Sequence, residues 1–199
     1  MMKQLWIKFL RGGNRVIDYT ISILDRDKAK VDFGGYRVEL KFFLEENFHQ
    51  IKGKILDVGS GDWTWTKEML VSKGCDVISF DKFPHSNVDV VGDIYELSKF
   101  FKTNEFDGII CTDVIEHVAN PFMAIEQMLF ALKPGGYLLF SCPFDKELHG
   151  ETYGDYWRIT RQGWEELLRE GCEHISIKWW GHELKPKSYF IKAQKIDKR

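Results

Sequence analysis

No run of apolar residues in this chain approaches the length of a membrane span, and nothing resembles a cleaved signal peptide. The sequence therefore predicts a cytoplasmic protein with no integral membrane segment. Cysteine is scarce and scattered: Cys75, Cys111, Cys142 and Cys172 form no C-x-x-C pair and no Cys/His cluster with metal-ligand spacing. Reduced, mostly buried thiols and no metal are the expectation. An excess of one charge is also missing, and a net charge of −2 gives no nucleic-acid footprint across the whole domain. There is no internal repeat, low-complexity tract or linker. The pattern Gly-x4-Gly-Lys-Ser/Thr is absent too, which excludes a P-loop.

What is present suits one ordered globular domain. The 199 residues are enough for a full core and too few for two ordinary ones, and 44% of them are apolar. The most informative stretch is Ile55-Leu56-Asp57-Val58-Gly59-Ser60-Gly61-Asp62-Trp63, followed by the helix-compatible Trp65–Leu70. A buried parallel strand, a glycine turn and a helix start are predicted there. Glycine tolerates positive φ and lets a ligand approach the backbone. Open α/β sheets bind ligands outside the carboxyl ends of their strands, where such a turn sits. Thr64 occupies the third position of a dinucleotide fingerprint, which weakens a pyrophosphate reading. Asp57 would repel a pyrophosphate but suits a ligand carrying ammonium and sulfonium charge.

Further segments follow in order. Val77–Asp81 reads as a second strand ending in an acid, roughly 20 residues past the turn, where nucleotide folds bind ribose hydroxyls. Val88–Asp93 reads as a short third strand, Phe106–Asp113 as a fourth leading into Val114-Ile115-Glu116-His117-Val118, and Leu132-Lys133-Pro134-Gly135-Gly136 leads into a fifth, Tyr137–Phe140. Together, Asp57-x-Gly59-x-Gly61, the strand-terminal acids, the "D-x-x-E-H" run and the "L-K-P-G-G" run resemble class I S-adenosylmethionine (SAM)-dependent methyltransferases over about residues 54 to 144. Asp155-Tyr156-Trp157-Arg158-Ile159-Thr160 with Gly163-Trp164…Leu168 resembles a bacterial and archaeal subgroup that tailors small metabolites or surface glycans.

The resemblance implies a Rossmann-like α/β fold: a doubly wound, mostly parallel seven-stranded sheet with a C-terminal antiparallel strand and an N-terminal helical cap. It implies SAM as cofactor and S-adenosylhomocysteine as product. Asp57, Gly59, Ser60 and Gly61 would hold the methionine end, Asp81 and Lys82 the ribose, and Asp93 and Ile94 the adenine edge. Thr112 and Asp113 would face the space between cofactor and acceptor. Trp63 stands where many members carry a third glycine; a large ring there narrows the cofactor site or stacks on it. The motif lacks Asn/Asp-Pro-Pro-Tyr/Phe, which argues against methylation of DNA bases.

Histidine is poised near neutral pH, so His149 and His117 are the candidate bases for an acceptor hydroxyl, His149 preferred because it lies in a loop after the fifth strand. A structural hydrogen bond at the start of the helix after the fourth strand is an equal alternative for His117. The loop from Pro143 to Trp157 mixes aromatics, acids and glycines as a substrate lid does. Tyr153, Tyr156 and Arg158 are its candidate acceptor contacts, with Arg158 suited to a carboxylate or phosphate and Trp157 assigned to packing; all four would equally serve to lock the loop onto the domain. Upstream, Tyr36, Leu40, Phe43, Leu44 and Phe48 recur at helical spacing, and Gly34-Gly35 is expected to break the chain before them. Core packing accounts for most of that stripe, with Tyr36 and Arg37 as candidate acceptor contacts.

Lys3, Lys8, Arg11 and Arg15 interleave with apolar residues, which suits a terminal helix packed on the domain, or less simply one lying on a membrane or a partner. At the other end, His174–Trp180 and Ser188–Ala193 read as strands joined across Gly181–Lys187 and must pair antiparallel. The expected organisation is a single domain over 1–199: cap to 50, cofactor core over 51–144, and substrate loop, helix and hairpin over 145–199. The function expected is methyl transfer to a small-molecule or glycan acceptor, at oxygen or else at nitrogen. The alternatives are a non-catalytic module of the same fold, which Trp63 would favour, and a nicotinamide-dependent oxidoreductase, which Thr64 and the hairpin oppose. The sequence is silent on oligomeric state.

Overall fold

A computed structural model of the chain describes residues 33–197. The basic N-terminal stretch, Lys198 and Arg199 lie outside the described residues. The chain divides between Phe43 and Leu44 into two compact units. Of the first, the described part belongs to helix α1 (Phe33–Asn47), which continues into the second. Leu40, Phe43 and Leu44 are buried on it, matching the apolar spacing. Gly34 and Gly35 sit inside the first turn of α1 instead of breaking the chain ahead of it. The first turn makes no backward backbone bonds, so glycine is tolerated there more readily than in a helix interior.

The second unit is built on a seven-stranded sheet in the order β3-β2-β1-β4-β5-β7-β6. The strands are β1 (Lys54–Val58), β2 (Asp76–Asp81), β3 (Val90–Val91), β4 (Phe106–Thr112), β5 (Leu132–Pro143), β6 (Cys172–His182) and β7 (Lys185–Lys195). The pairs from β3 through β5 are parallel, while β7 runs antiparallel to both β5 and β6. The Rossmann-like sheet with one antiparallel C-terminal strand is thus borne out. Chain order reverses between β1 and β4, which defines the crevice at the carboxyl edge.

Helices α2 (Trp65–Ser72), α4 (Pro121–Ala131) and α5 (Arg161–Leu168) connect parallel strands, and a single turn α3 (Leu97–Phe100) precedes β4. Right-handed crossovers place α2 on one face and α4 and α5 on the other. Leu56, Ile109, Leu138 and Phe140 from the central strands share one core with Ile125, Met128 and the fully buried Trp164. The Trp164 and Phe140 rings lie 5.3 Å apart. Asn120 and Thr160 cap α4 and α5, each side-chain oxygen accepting from a first-turn N–H.

Two elements differ from the expected bounds. β3 shrinks to two residues because Asp93 turns the chain by capping the following 3₁₀ turn, Ile94–Glu96. The C-terminal strands are longer than the sequence suggests, meeting at a tight connection through Glu183 and Leu184. Gly181, at φ +99°, is absorbed as a strand irregularity rather than opening the turn. All four cysteines are buried and reduced. Among the described residues, no helix is long and apolar enough to cross a membrane.

Candidate functional site

The loops after β1, β2, β4 and β5 all leave the same edge of the sheet. After β1 the chain turns at Gly59 (φ +72°) and Gly61 (φ +52°). The Gly59 and Ser60 N–H groups both donate to the Phe80 carbonyl, at 2.8 and 3.2 Å, stitching the turn to β2. A Cβ on Gly59 would lie 2.1 Å from Val114, so glycine is demanded by space as well as by φ. A Cβ on Gly61 would meet nothing closer than 3.9 Å, leaving that side of the turn open.

Two buried polar groups stand at this turn. Ser60 is buried and its Oγ has no hydrogen-bond partner. Asp57 is 3% exposed, and burial, aided by the nearby Asp81 carboxylate and opposed by Lys67, pushes its pKa from 3.8 to about 7. A buried acid in that state is set to receive positive charge. Asp81 is pinned instead: Oδ2 accepts from Gly61 N at 2.8 Å and Oδ1 from Phe83 N at 2.8 Å. Each of its oxygens retains a lone pair for a further donor. Beyond it, Asp93 Oδ1 caps Tyr95 N at 3.0 Å, while Oδ2 stands 3.5 Å from the exposed Lys82 ammonium. Ile94 is buried beneath this rim, and the Trp63 ring, 47% exposed, stands beside Gly61. A glycine cradle, an orphaned hydroxyl and a buried carboxylate suit a ligand with a cationic head and hydroxyl groups.

The other half of the edge is acidic and imidazole-rich. Asp113 adopts φ +55° directly after β4 and accepts from Ser141 Oγ at 2.8 Å. That left-handed residue reverses the chain so that Val114 covers Gly59 and a 3₁₀ turn, Ile115–His117, folds beneath. Glu116 is fully buried and neither carboxylate oxygen has a hydrogen-bond partner. Burial first, and Asp113 next, hold its pKa well above the usual carboxylate range; the neighbouring Cys142 thiol, a weak donor, offsets little of this.

The loop after β5 wraps over this turn. Tyr156 N donates to the Glu116 carbonyl at 2.8 Å and the Trp157 indole N–H to the Val118 carbonyl at 2.8 Å. His117 Nδ1 lies 2.5 Å from the Gly154 carbonyl, and His149 Nδ1 lies 3.2 Å from the Glu147 carbonyl and 3.3 Å from Asp155 Oδ2. Those partners accept only, so both Nδ1 atoms carry the proton and both Nε2 lone pairs are exposed to the cluster. Nε2 of His117 stands 3.6 Å, and Nε2 of His149 3.9 Å, from Glu116 Oε1. Burial lowers both imidazole pKa values, so the rings are neutral near pH 7. Tyr153 packs edge-on against His117, with centroids 4.6 Å apart, and against Phe83 at 6.4 Å, so it spans from the β2 loop to the histidines.

The residues expected at the site are distributed unevenly. Asp57, Gly59, Ser60, Gly61, Trp63, Asp81, Lys82, Asp93 and Ile94 gather on the β1–β3 side, and Thr112, Asp113, His117, His149 and Tyr153 on the β4–β5 side. For Arg158 the contacts favour the loop-locking alternative over contact with an acceptor. Its guanidinium is committed to both oxygens of Asp155, with Nη2–Oδ2 at 2.8 Å, and to the carbonyls of Lys146, Glu147 and Trp157. It locks the loop, and it holds the Asp155 carboxyl far below the ordinary range. Tyr156, 56% exposed, contributes its backbone rather than its ring to the described contacts. Tyr36 and Arg37 lie on α1, in the first unit. Sequence reasoning did not single out Glu116, Asp155 or Ser141 as site residues. The first stands in "D-x-x-E-H" beside His117, so its signal was available; the others act through tertiary contacts.

A family model described as "Methyltransferase domain" matches residues 31–184. That is more than half of the chain, so the chain belongs to this methyltransferase family, in keeping with the class I resemblance of its motifs. A ubiquinone biosynthesis O-methyltransferase of Aliivibrio fischeri is 27% identical over 117 residues, which takes in 52% of this chain and 50% of that protein. The chain thus spans about half the length of the curated relatives it matches. The fold is shared with a 1,6-didemethyltoxoflavin-N1-methyltransferase of Burkholderia thailandensis, at TM-score 0.66, 18% identity and coverage of 90% of this chain and 86% of that one. It is shared too with a SAM-dependent methyltransferase of Archaeoglobus fulgidus, at TM-score 0.63, 18% identity and coverage of 80% and 94%.

Proposed function

We propose that this methyltransferase-family chain binds SAM in the glycine cradle and methylates a hydroxyl group of a small molecule. The observation that carries the reading is the pairing, along one sheet edge, of a cation-seeking buried Asp57 with an imidazole–carboxylate cluster on the neighbouring strands. SAM, when bound, supplies a methyl group made electrophilic by its sulfonium.

The chain's own residues then have distinct tasks. Asp57 ionises against the ammonium group of the methionine end, and Ser60 Oγ and the Gly59–Gly61 backbone bind the same end. Asp81, already positioned by two N–H groups, accepts from the ribose hydroxyls, beside Lys82. Asp93 keeps Oδ2 for the adenine amino group, with Ile94 beneath the ring and Trp63 on its rim. Thr112 and Asp113 line the passage between the two halves. An acceptor hydroxyl held at Nε2 of His149, or of its neighbour His117, has a proton acceptor within the cluster, and Tyr153 covers it. Alignment alone provides a large part of the acceleration in such a reaction. Oxygen rather than nitrogen is favoured because the curated relatives are named O-methyltransferases and because a hydroxyl acceptor needs the proton acceptor that this cluster provides.

The test begins with ligand-dependent melting. SAM and S-adenosylhomocysteine at about 100 times Kd should each stabilise by roughly 2.7 kcal/mol, and NAD should not. Transfer of labelled methyl to a panel of phenols, alcohols and amines then reads the acceptor. Stabilisation by NAD instead of SAM, or labelling of amines only, would overturn the reading. So would undiminished SAM affinity in Asp57→Ala and Asp81→Ala.

A further inference from the structure

We propose that Glu116, His117 and His149 form a binding site for one divalent first-row transition-metal ion, of the Zn²⁺, Co²⁺ or Mn²⁺ class. One carboxylate oxygen and two imidazole nitrogens from these residues lie within 4.8 Å of one another. The two histidine–glutamate separations, 3.6 and 3.9 Å, are only slightly longer than ligand atoms show around a shared metal ion. Metal–ligand bonds of about 2.0–2.2 Å place such atoms about 3.0–3.4 Å apart. With the ligand atoms within 4.8 Å of one another, closing the cluster around an ion needs the widest pair to approach by up to about 1.4 Å, shared between two side chains whose torsions can supply it.

Three features separate this cluster from a chance grouping. The first is Glu116 itself: its side chain is fully buried, and both oxygens lack a hydrogen-bond partner. A buried carboxylate whose nearest donors are its own backbone N–H and a weak thiol is costly unless something positive meets it. The second is tautomer control. Gly154 O holds His117 Nδ1–H, and Glu147 O with Asp155 holds His149 Nδ1–H, so both Nε2 lone pairs are presented to Glu116. Metal-binding histidines are oriented in this way by acceptors on the far ring nitrogen. The third is support behind that layer: Arg158 grips Asp155 through both oxygens, fixing the acid that orients His149. Lys146 and Arg158 are nearby cations and oppose an incoming ion, but the carboxylates of Glu116, Asp113 and Asp155 face the cluster against them.

Two imidazoles and one carboxylate are nitrogen-rich, which favours transition metals over Mg²⁺ and Ca²⁺. Three protein ligands leave at least one coordination position open, as in catalytic rather than structural sites. An ion there would occupy both Nε2 lone pairs, so the histidines would act as its ligands instead of as bases; it would take the acceptor's oxygen as its next ligand and acidify that hydroxyl enough for it to lose its proton to solvent. The ion-binding claim stands apart from the methyl-transfer reading, whereas this role for the ion rests on it.

The test uses the tag-free full chain, stripped with chelator and exchanged into metal-free buffer. Zn²⁺ binding is measured by equilibrium dialysis and by the melting shift, Co²⁺ binding by its visible d–d absorption, and Mg²⁺ serves as the comparison. One equivalent of Zn²⁺ per chain, a Co²⁺ spectrum displaced by Zn²⁺, and at least 100-fold weaker binding in both His149→Ala and His117→Ala are expected. Asp155→Asn, which weakens the orienting contact to His149 together with the Arg158 pair that locks the loop, should weaken binding about 10- to 100-fold. His174→Ala, outside the cluster, should change nothing. His149 is partly exposed on a loop, so its variant keeps the fold and remains informative if others do not. Absence of stoichiometric Zn²⁺ and Co²⁺ binding overturns the site, as does binding that survives in His149→Ala. SAM binding is measured in the same samples. Metal bound without SAM would sink the methyl-transfer reading alone, and SAM bound without metal would sink the site alone.

Discussion

Replacing Asp57 with asparagine should stabilise the ligand-free protein while removing its grip on the cofactor. The Asp57 pKa is about 7 in the folded state against 3.8 for an ordinary aspartate, mainly through burial. Below pH 4 the group is neutral folded or unfolded and contributes nothing. Between pH 4 and pH 7 the unfolded chain ionises while the folded chain keeps its proton, so wild-type stability falls as pH rises. Above pH 7 the penalty is complete and corresponds to about 4 kcal/mol. The substituted amide cannot ionise and escapes it. For a chain of this size each kcal/mol moves Tm by about 2–4 °C, so the variant should melt about 8–16 °C higher at pH 8. The two proteins should converge near pH 4. Cofactor binding should show the opposite dependence. Roughly a tenth of Asp57 is ionised at pH 6 and roughly nine-tenths at pH 8, so wild-type Kd for S-adenosylhomocysteine should fall about 10-fold across that interval. The variant should bind weakly and, since it carries the ligand's own titration, serves as the control. A melting scan from pH 4 to pH 8 and titration calorimetry at pH 6, 7 and 8 read both effects. A variant no more stable than wild type at pH 8, or an affinity that is flat from pH 6 to pH 8, would refute the reasoning.

The two glycines of the turn should respond differently. Gly59→Ala drives a methyl group into Val114 and should cost about 2–4 kcal/mol with loss of SAM binding, whereas Gly61→Ala makes only ordinary van der Waals contact with Trp63 and Asp81 and should cost only about 1–2 kcal/mol for its positive φ; chemical denaturation distinguishes them. Gly150→Ala would place Cβ 2.4 Å from the Gly154 carbonyl and 3.0 Å from His117 Nδ1, so limited proteolysis should detach the 144–160 loop while the core Tm barely moves. Arg158→Ala should free the same loop and reduce methyl transfer without changing SAM affinity, since the guanidinium holds Asp155 and not a ligand; a selective loss of SAM binding would contradict that placement. Trp164→Ala removes a fully buried ring from the shared core and should cost about 3–5 kcal/mol by urea denaturation, with the carboxyl-edge chemistry unaffected.

The fold was legible in the sequence where local pattern and tertiary role coincide. β1 is buried along nearly its whole length, so its residues had to be apolar, and the turn after it had to be glycine because Val114 leaves no room. Acids at strand ends were visible for the same reason: they interrupt apolar runs. The pattern failed where a residue obeys its neighbours in space. Gly34 and Gly35 carry a breaker's signal, yet the first turn of a helix asks nothing of them. Gly181 carries a turn's signal, yet the β6–β7 ladder absorbs it and moves the connection to Glu183 and Leu184.

The same distinction explains what was missed at the site. Glu116 and His117 are adjacent in the chain and therefore visible as a pair, but a carboxylate beside a histidine says nothing about where a second histidine stands. His149 reaches them because Gly150 and Gly154, at φ +91° and +90°, let the loop fold back over His117. Asp155 and Arg158 then tie it there. Read singly, Arg158 resembles an anion receptor and the histidines resemble alternative bases. Read together, the arginine serves the aspartate, the aspartate serves His149, and both imidazoles turn the same nitrogen toward one buried carboxylate. A constellation supported in this depth is specified by side-chain partnership across the loop, and spacing along the chain carries almost none of that information.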